Sequence, residues 1–185
     1  MSGADGMSRI LIAYSTVDGH TLKISNRIRD RLATQGHEVT LFEIRDGAGI
    51  DDAAFDCIII GASIRYGKHR QNVYDFIERN RDALERRPSA FFTVNVVARK
   101  PDKNSPDTSP YIKTFREKSA WKPAEIGVFA GKIDYARYKL VDKLMIRFIM
   151  WMTKGPTDPK TCIEFTDWDA VDAFADRISR VSTKP

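Results

Sequence analysis

A regular alternation of short apolar runs with helical patterns constrains the fold of this chain more than any other feature of its sequence. The predicted strands cover residues 8–14, 37–44, 56–61, 89–97 and 125–130, and helical patterns follow near 22–33, 72–85, 111–119 and 166–181. The run 56–61 shows no polar alternation, which is typical of a central parallel strand covered on both faces. Because parallel neighbours need crossover connections and helices supply them, the sequence predicts an α/β fold with a doubly wound five-stranded parallel sheet, strand order 2-1-3-4-5, and helices on both faces.

Length and composition support a single domain. A chain of 185 residues has room for one core, predicted at residues 8–183 after a disordered extension at residues 1–7. Apolar residues make up 42% of the chain and charged residues 30%, which excludes the disordered and fibrous classes. Two cysteines are too few for a disulfide framework, and no Cys or His spacing indicates a metal site. Neither a signal peptide nor a membrane span is expected, so the predicted location is cytoplasmic.

The positive charge is concentrated in one region. Residues 99–154 carry 13 Lys and Arg against 6 Asp and Glu, whereas the rest of the chain carries 17 against 19. Such a basic region attracts anions, and composition alone leaves nucleic acid, anionic lipid and acidic small molecules all open.

The loop after the first strand has the composition of an anion site. Ser15, Thr16 and Thr21 surround Gly19 at the start of a helix, whose free N–H groups favour a phosphate. A plain turn with hydroxyl caps is the alternative. The chain lacks GxxxxGK[ST] and GxGxxG, which excludes the common nucleotide-hydrolysing and dinucleotide-binding loops. A phosphorylated receiver is excluded too, because the ends of strands 1 and 3 carry no acidic residues.

The loops after the third and fourth strands are suited to a flat redox-active ring. The segment 61–70 combines an aromatic residue, small residues and cations, and Arg65 or Lys68 would stabilise the negative charge of a reduced ring. A solvated basic loop is the alternative. In the next loop, Asn95 and backbone groups are placed to bond the edge of the ring.

An insertion at about 131–160 separates the fifth strand from the last helix. On a helix over 139–154, Lys139, Asp142, Lys143, Arg147 and Lys154 fall within an arc of about 140°, together with Ile146 and Met150, and a broad apolar face remains. A basic amphipathic helix of this kind can lie in a membrane interface. An ordinary core-facing helix or a dimer contact is the alternative. The residues predicted to contact membrane or substrate are Arg137, Lys139, Lys143, Arg147, Phe148, Trp151 and Lys154.

Four motifs carry a resemblance to a known family. They are Ser15-Thr-x-Asp-Gly-x-Thr21, Ile60-Gly-Ala-Ser-Ile-Arg-Tyr-Gly67, Asn95-Val-Val-Ala-Arg-Lys-Pro101 and Phe165-Thr-Asp-Trp168. The first is generic to flavodoxins, in which such a run wraps the phosphate of FMN. Together the four resemble the bacterial quinone-dependent protoporphyrinogen IX dehydrogenases, a flavodoxin-like FMN protein family, over nearly the whole chain.

The resemblance implies an enzyme of haem biosynthesis. It would oxidise protoporphyrinogen IX to protoporphyrin IX, a six-electron change in three flavin cycles, and pass the electrons to menaquinone or ubiquinone. The implied FMN-binding residues are Ser15, Thr16, Asp18, Gly19, His20, Thr21, Ala62, Ser63, Ile64, Arg65, Tyr66, Gly67, Asn95, Val96, Val97, Ala98 and Arg99. The expected setting is peripheral, on an anionic surface at the inner face of the cell membrane, without a nucleic-acid partner and with a homodimer left open.

No residue stands out as an obligate acid or base. Arg65, Tyr66, Lys68 and His69 are the candidate catalytic residues, with His69 a possible proton shuttle, whereas His37 is expected at the surface. Two other functions remain open. One is an electron-carrying flavodoxin, against which the basic insertion counts, and the other is an NAD(P)H-dependent quinone reductase.

Overall fold

A computed structural model describes residues 6–47 and 49–183. Residues 1–5 of the predicted extension lie outside the described residues, and Met7 is exposed just before the first strand. The strands are β1 (Arg9–Ser15), β2 (Glu38–Glu43), β3 (Cys57–Arg65), β4 (Lys68–His69), β5 (Ser89–Asn95), β6 (Glu125–Ala130), β7 (Lys132–Asp134) and β8 (Cys162–Glu164). The α-helices are α1 (His20–Thr34), α2 (Gln71–Arg79), α3 (Arg81–Arg86), α4 (Pro110–Lys118), α5 (Leu140–Met152) and α6 (Trp168–Ser182).

The central sheet has the predicted topology. Its parallel strands lie in the order β2-β1-β3-β5-β6, which is 2-1-3-4-5 when the parallel strands alone are counted. The predicted doubly wound fold is therefore confirmed. In such a sheet the order reverses between β1 and β3, and the loops that follow these strands open a crevice at the carboxyl edge.

Two apolar layers cover the two faces of the sheet. Ile10 and Ile12 of β1 point to the face covered by α1 and α6, whereas Leu11 and Ala13 point to the face covered by α2, α3 and α4. Alternate side chains of a strand lie on opposite faces, so burial on both sides requires a continuous apolar run. This explains why 56–61 shows no polar alternation.

The segment predicted as a loop after the third strand is a hairpin, which corrects that expectation. β3 continues to Arg65, the chain turns at Tyr66 and Gly67, and β4 pairs back antiparallel. Both turn residues have positive φ, 50° and 76°, as the two-residue turns that match the twist of a hairpin require. The composition of this segment indicated a turn but not the antiparallel return.

Three further expectations are corrected. The helix predicted at 72–85 is broken at Asn80, whose side-chain amide donates to the carbonyl of Phe76. The strand predicted to 97 ends at Asn95, whose side chain caps the next turn by accepting from the N–H of Ala98. His37, expected at the surface, is buried between the N–H of Ser8 and the hydroxyl of Ser179.

The insertion contains the predicted helix and a small sheet that the sequence pattern did not show. α5 lies within the predicted range 139–154, and β7 pairs antiparallel with β8 on the far side of the insertion. This pairing joins both ends of the insertion next to β6, so α5 returns across the carboxyl edge of the main sheet.

Candidate functional site

A single cleft at the carboxyl edge brings together the three loops that the sequence singled out. Its walls come from the loop after β1, the β3–β4 hairpin, the loop after β5 and the inserted helix α5. From the predicted loops it is lined by Thr16, Val17, Asp18, His20, Thr21, Ser63, Ile64, Arg65, Tyr66, Gly67, Val94, Asn95, Val96 and Val97. The cleft therefore lies where a doubly wound sheet places its ligand.

The loop after β1 has a geometry suited to an anion, and we call it the anion cradle. Gly19 adopts φ 82° directly before α1, and its N–H donates to the hydroxyl of Thr16 at 3.0 Å. The hydroxyl oxygens of Ser15 and Thr21 are buried and have no hydrogen-bond partner among the described residues. The first turn of α1 holds no acidic side chain, so its N–H groups are open to a negatively charged ligand.

Two buried donors lie beside the position expected for a ring. The side-chain oxygen of Asn95 accepts from the N–H of Ala98 at 2.9 Å, which fixes the amide and leaves its nitrogen without a partner within the described chain. The Ser63 hydroxyl at the end of β3 is equally unpaired there. A buried polar group without a partner costs free energy, so such groups are expected where a ligand supplies the missing bond.

The β3–β4 turn carries an ionic cluster. The guanidinium of Arg65 donates to both Asp18, at 3.2 Å, and Asp142 of α5, and it lies 5.2 Å from the centre of the Tyr66 ring. The Tyr66 hydroxyl donates to the second oxygen of Asp142. Burial raises the pKa of the Asp18 carboxyl, Arg65 opposes this shift, and Asp142 adds to it. Asp18 thus faces Arg65 and not the anion cradle.

The remaining wall of the cleft was missed by the sequence reasoning. It is formed by Tyr111 of α4 and by residues of the insertion: Gly131, Lys132, Tyr138, Asp142, Met145, Ile146 and Ile149. The available signal was the presence of Ile146 and Met150 inside the basic arc of the predicted helix. Those two side chains belong to the packed side of α5, and Met150 is fully buried.

Several predicted site residues lie elsewhere. Ala62 and Ala98 are buried in the core beneath the cleft. Arg99 donates to the carbonyl and the hydroxyl of Thr153 at 2.8 and 3.0 Å, so it holds the end of α5. Lys68 and His69 line a shallow depression on the other side of Arg65.

His69 is enclosed by aromatic rings. It packs edge-on against Phe91 and Phe115, and one of its ring nitrogens is 2.9 Å from the hydroxyl of Thr93. Burial, with a smaller effect of Lys118, lowers the pKa of His69 to about 4. The ring is neutral near pH 7, which argues against the predicted proton shuttle.

The broad apolar face of α5 points to solvent. Its exposed members that do not line the cleft are Leu140, Val141, Leu144, Phe148, Trp151 and Met152, called here the outer face. Arg137, Lys139 and Lys154 are exposed near it and Lys143 is half-buried, whereas Arg147 is half-buried and donates to the carbonyl of Thr157. No helix within 6–47 and 49–183 is long and apolar enough to cross a bilayer. The same residues contain no group of His, Cys, Asp and Glu side chains arranged to hold a metal.

Comparison with known proteins places the chain in a family. A model described as "Flavodoxin domain" matches residues 11–160. A protein named protoporphyrinogen IX dehydrogenase [quinone] from Leishmania major is 40% identical over 90% of this chain and 73% of its own. A protein of the same name from Escherichia coli K12 is 36% identical over 96% of this chain and 98% of its own. The chain belongs to the protoporphyrinogen IX dehydrogenase [quinone] family.

Solved structures support the fold of this dehydrogenase family member. A flavodoxin from Streptococcus pneumoniae TIGR4 aligns with a TM-score of 0.51 and 14% identity over 93% of this chain and 98% of that one. Reduced flavodoxin from Megasphaera elsdenii aligns with a TM-score of 0.50 and 17% identity over 64% of this chain and 84% of that one. Family membership makes the chain a flavoprotein oxidoreductase, and the solved structures support its fold alone.

Proposed function

We propose that this chain binds FMN and oxidises protoporphyrinogen IX to protoporphyrin IX with a quinone as electron acceptor. The reaction removes six electrons and six protons from the macrocycle, and three quinones take them up as three quinols. The names of the relatives support this activity. The observation that carries it is a set of four buried polar atoms that have no partner among the described residues. Three of them belong to Thr21, Ser63 and Asn95, which line the cleft, and the fourth to Ser15 at the end of β1.

The donors of the cleft fit FMN. The hydroxyls of Ser15 and Thr21 and the N–H groups that begin α1 would hold the phosphate, and their arrangement suits a dianion. The amide nitrogen of Asn95 and the hydroxyl of Ser63 would donate to the edge of the ring. When bound, FMN supplies a two-electron acceptor. Arg65 would oppose the negative charge that the ring gains on reduction.

The apolar wall fits the substrates. Tyr111, Met145, Ile146 and Ile149 line one side of the cleft. Protoporphyrinogen and quinones are both largely apolar, so both match this surface. Arg65 and Tyr66 would orient the macrocycle, and Lys68 lies nearby at the surface.

The decisive experiment is an anaerobic reaction of the purified protein with protoporphyrinogen IX. We expect bleaching of the flavin absorbance as porphyrin forms, complete at about one porphyrinogen for three flavins, and recovery of the colour when a menaquinone or ubiquinone analogue is added. The released cofactor should be FMN and not FAD. Reduction by NADPH but not by porphyrinogen would overturn the proposal in favour of a quinone reductase, and a colourless protein that takes up no FMN would overturn the flavin assignment.

We further propose that the outer face of α5 rests on an anionic membrane. Seven large apolar side chains are exposed on this one helix, the six of the outer face and Met145. Leu140 is 72% and Trp151 70% exposed, and monomeric proteins rarely expose such patches without a partner. Lys139, Lys143 and Lys154 accompany the patch, and a basic apolar helix parallel to the surface suits anionic headgroups. Lipid is also where quinone is found.

Vesicle binding tests the membrane proposal. With two cations reversed, K139E/K143E should bind vesicles of mixed anionic and zwitterionic lipid about tenfold or more weakly, at about 1 kcal/mol per cation. The matched control K113E/K122E reverses two exposed cations outside the insertion and should bind as the unaltered protein does. Equal binding by all three proteins would contradict the proposal. A stable dimer in light scattering that F148S/W151S dissociates would also contradict it and would assign the outer face to a second copy of the chain.

A further inference from the structure

Four residues at helical spacing form the side of α5 opposite its outer face. Asp142, Ile146, Ile149 and Thr153 follow one another at intervals of four, three and four residues, which places them along one line of the helix. We call this line the inner face. Ile146 and Ile149 line the cleft, and Asp142 also borders it while being only 8% exposed. A buried carboxylate needs partners to offset its desolvation.

Both partners of Asp142 come from the turn between β3 and β4. One carboxylate oxygen accepts from the Arg65 guanidinium and the other from the Tyr66 hydroxyl. The Arg65 side chain is itself 19% exposed and holds Asp18 with its other nitrogen. One carboxylate on α5 thus fixes two adjacent side chains of the turn that forms the opposite side of the cleft.

A second contact ties the other end of α5. The guanidinium of Arg99 in the loop after β5 donates to the carbonyl and the hydroxyl of Thr153. The helix is therefore held at Asp142 by the loop after β3 and at Thr153 by the loop after β5. Ile146 and Ile149 lie between these two anchors and face the cleft.

We propose that Asp142 is a positioning residue for the flavin reaction. It holds the inner face of α5 against the cleft as a wall for the apolar substrate, and it fixes Arg65 and Tyr66 where they meet the ring. The substrate part of this inference rests on the proposed function. Removing the charge of Asp142 leaves Asp18 as the acidic partner of Arg65 and frees the first turns of α5.

Hydrogen exchange tests the anchor without any need for activity. In D142N, the amide protons of residues 143–147 should exchange about 10-fold to 100-fold faster than in the unaltered protein, because loss of a hydrogen bond to a charged group costs about 1.5–3 kcal/mol. Y66F, which deletes one hydroxyl from an exposed turn residue and is expected to fold, should give a smaller acceleration in the same segment. The control D176N removes a carboxylate that pairs with Arg31 far from the cleft and should leave this segment unchanged.

Two further measurements separate positioning from mere stability. D142N should shift the absorbance spectrum and the reduction potential of bound FMN, because Arg65 relaxes, and should raise KM for protoporphyrinogen IX about tenfold with a smaller change in kcat. D142E, which retains the charge, should recover part of both effects. The inference would be overturned by a D142N protein whose amide exchange rates, flavin spectrum and KM equal those of D176N. Faster exchange in D142N combined with no porphyrinogen oxidation by the unaltered protein would retain the anchor and overturn the proposed function.

Discussion

At the scale of single residues, the cleft region contains buried polar atoms whose missing hydrogen bonds lower the protein's own stability. Ser15, Thr21, Ser63 and Asn95 each bury a polar atom that finds no partner among the described residues. Each such atom costs about 1–3 kcal/mol when it stays unpaired. A bound ligand that supplies the partners recovers this free energy, so the same atoms that weaken the free protein favour binding.

Thr21 allows this argument to be tested, because removal of its hydroxyl should change the stability and the FMN affinity in opposite directions. T21V keeps the shape of the side chain and removes the unpaired hydroxyl, so the FMN-free protein should be as stable or more stable in urea unfolding. The affinity for FMN should fall about 10-fold to 100-fold, because a hydrogen bond to a charged phosphate contributes about 1.5–3 kcal/mol. The control T34V, at the exposed end of the same helix, should leave the affinity for FMN unchanged. Unaltered FMN affinity in T21V would remove Thr21 from the cradle.

His69 predicts an acid-dependent loss of stability. Its pKa is about 4 in the folded protein, chiefly through burial, and about 6.5 when unfolded, so the unfolded chain binds the proton more readily between these values. Its contribution to stability is complete above pH 6.5 and falls by roughly 3 kcal/mol as the pH drops to 4. Urea unfolding at pH 7 and pH 4.5 should therefore show a smaller loss in H69Q than in the unaltered protein. The same loss in both proteins would show that His69 is not the group responsible.

At the scale of elements, the turn of the β3–β4 hairpin decides where Arg65 and Tyr66 point. Two successive residues with positive φ close this turn, and one of them, Tyr66, is not glycine. Left-handed backbone costs a residue with a side chain roughly 1–2 kcal/mol, so Tyr66 needs compensation, and its hydrogen bond to Asp142 supplies part of it.

Gly67 can be used to strain this turn. G67A places a Cβ at φ 76° in open space, so the cost is backbone strain of about 1–2 kcal/mol without a steric clash. The turn should deform and FMN should bind several-fold more weakly. G36A carries the same strain at φ 89° behind α1 and should lose similar stability in urea unfolding with unchanged FMN affinity. Equal FMN affinities in the two variants would show that the turn does not support the cofactor.

At the scale of the whole molecule, three loops from distant parts of the chain meet at one edge of the sheet. They follow β1, β3 and β5, and the insertion after β6 covers them with α5. A ligand at that edge bridges elements that only the sheet connects, so binding should stabilise the whole fold and not one loop.

Ligand-dependent unfolding measures this coupling. At a free FMN concentration 100 times its Kd, the protein should gain about 2.7 kcal/mol and its Tm should rise by roughly 5–10 °C. Riboflavin, which lacks the phosphate, should raise Tm far less at the same concentration, because the anion cradle stays empty. Equal shifts with both ligands would place the binding free energy in the ring and contradict the assigned role of the loop after β1.

The sequence by itself determined the five parallel strands, their order and the three loops that meet at the carboxyl edge of the sheet. Periodicity is local, and crossover connections leave few topologies, so both can be read without contacts. Only the tertiary structure decided the orientation of α5. The helical pattern allowed either face to pack. In the structure Ile146 and Met150 pack against Ile133 and Tyr135, and the outer face stays exposed. The pairing of β7 with β8 and the burial of His69 were also undecidable from sequence, because each depends on partners that are distant along the chain.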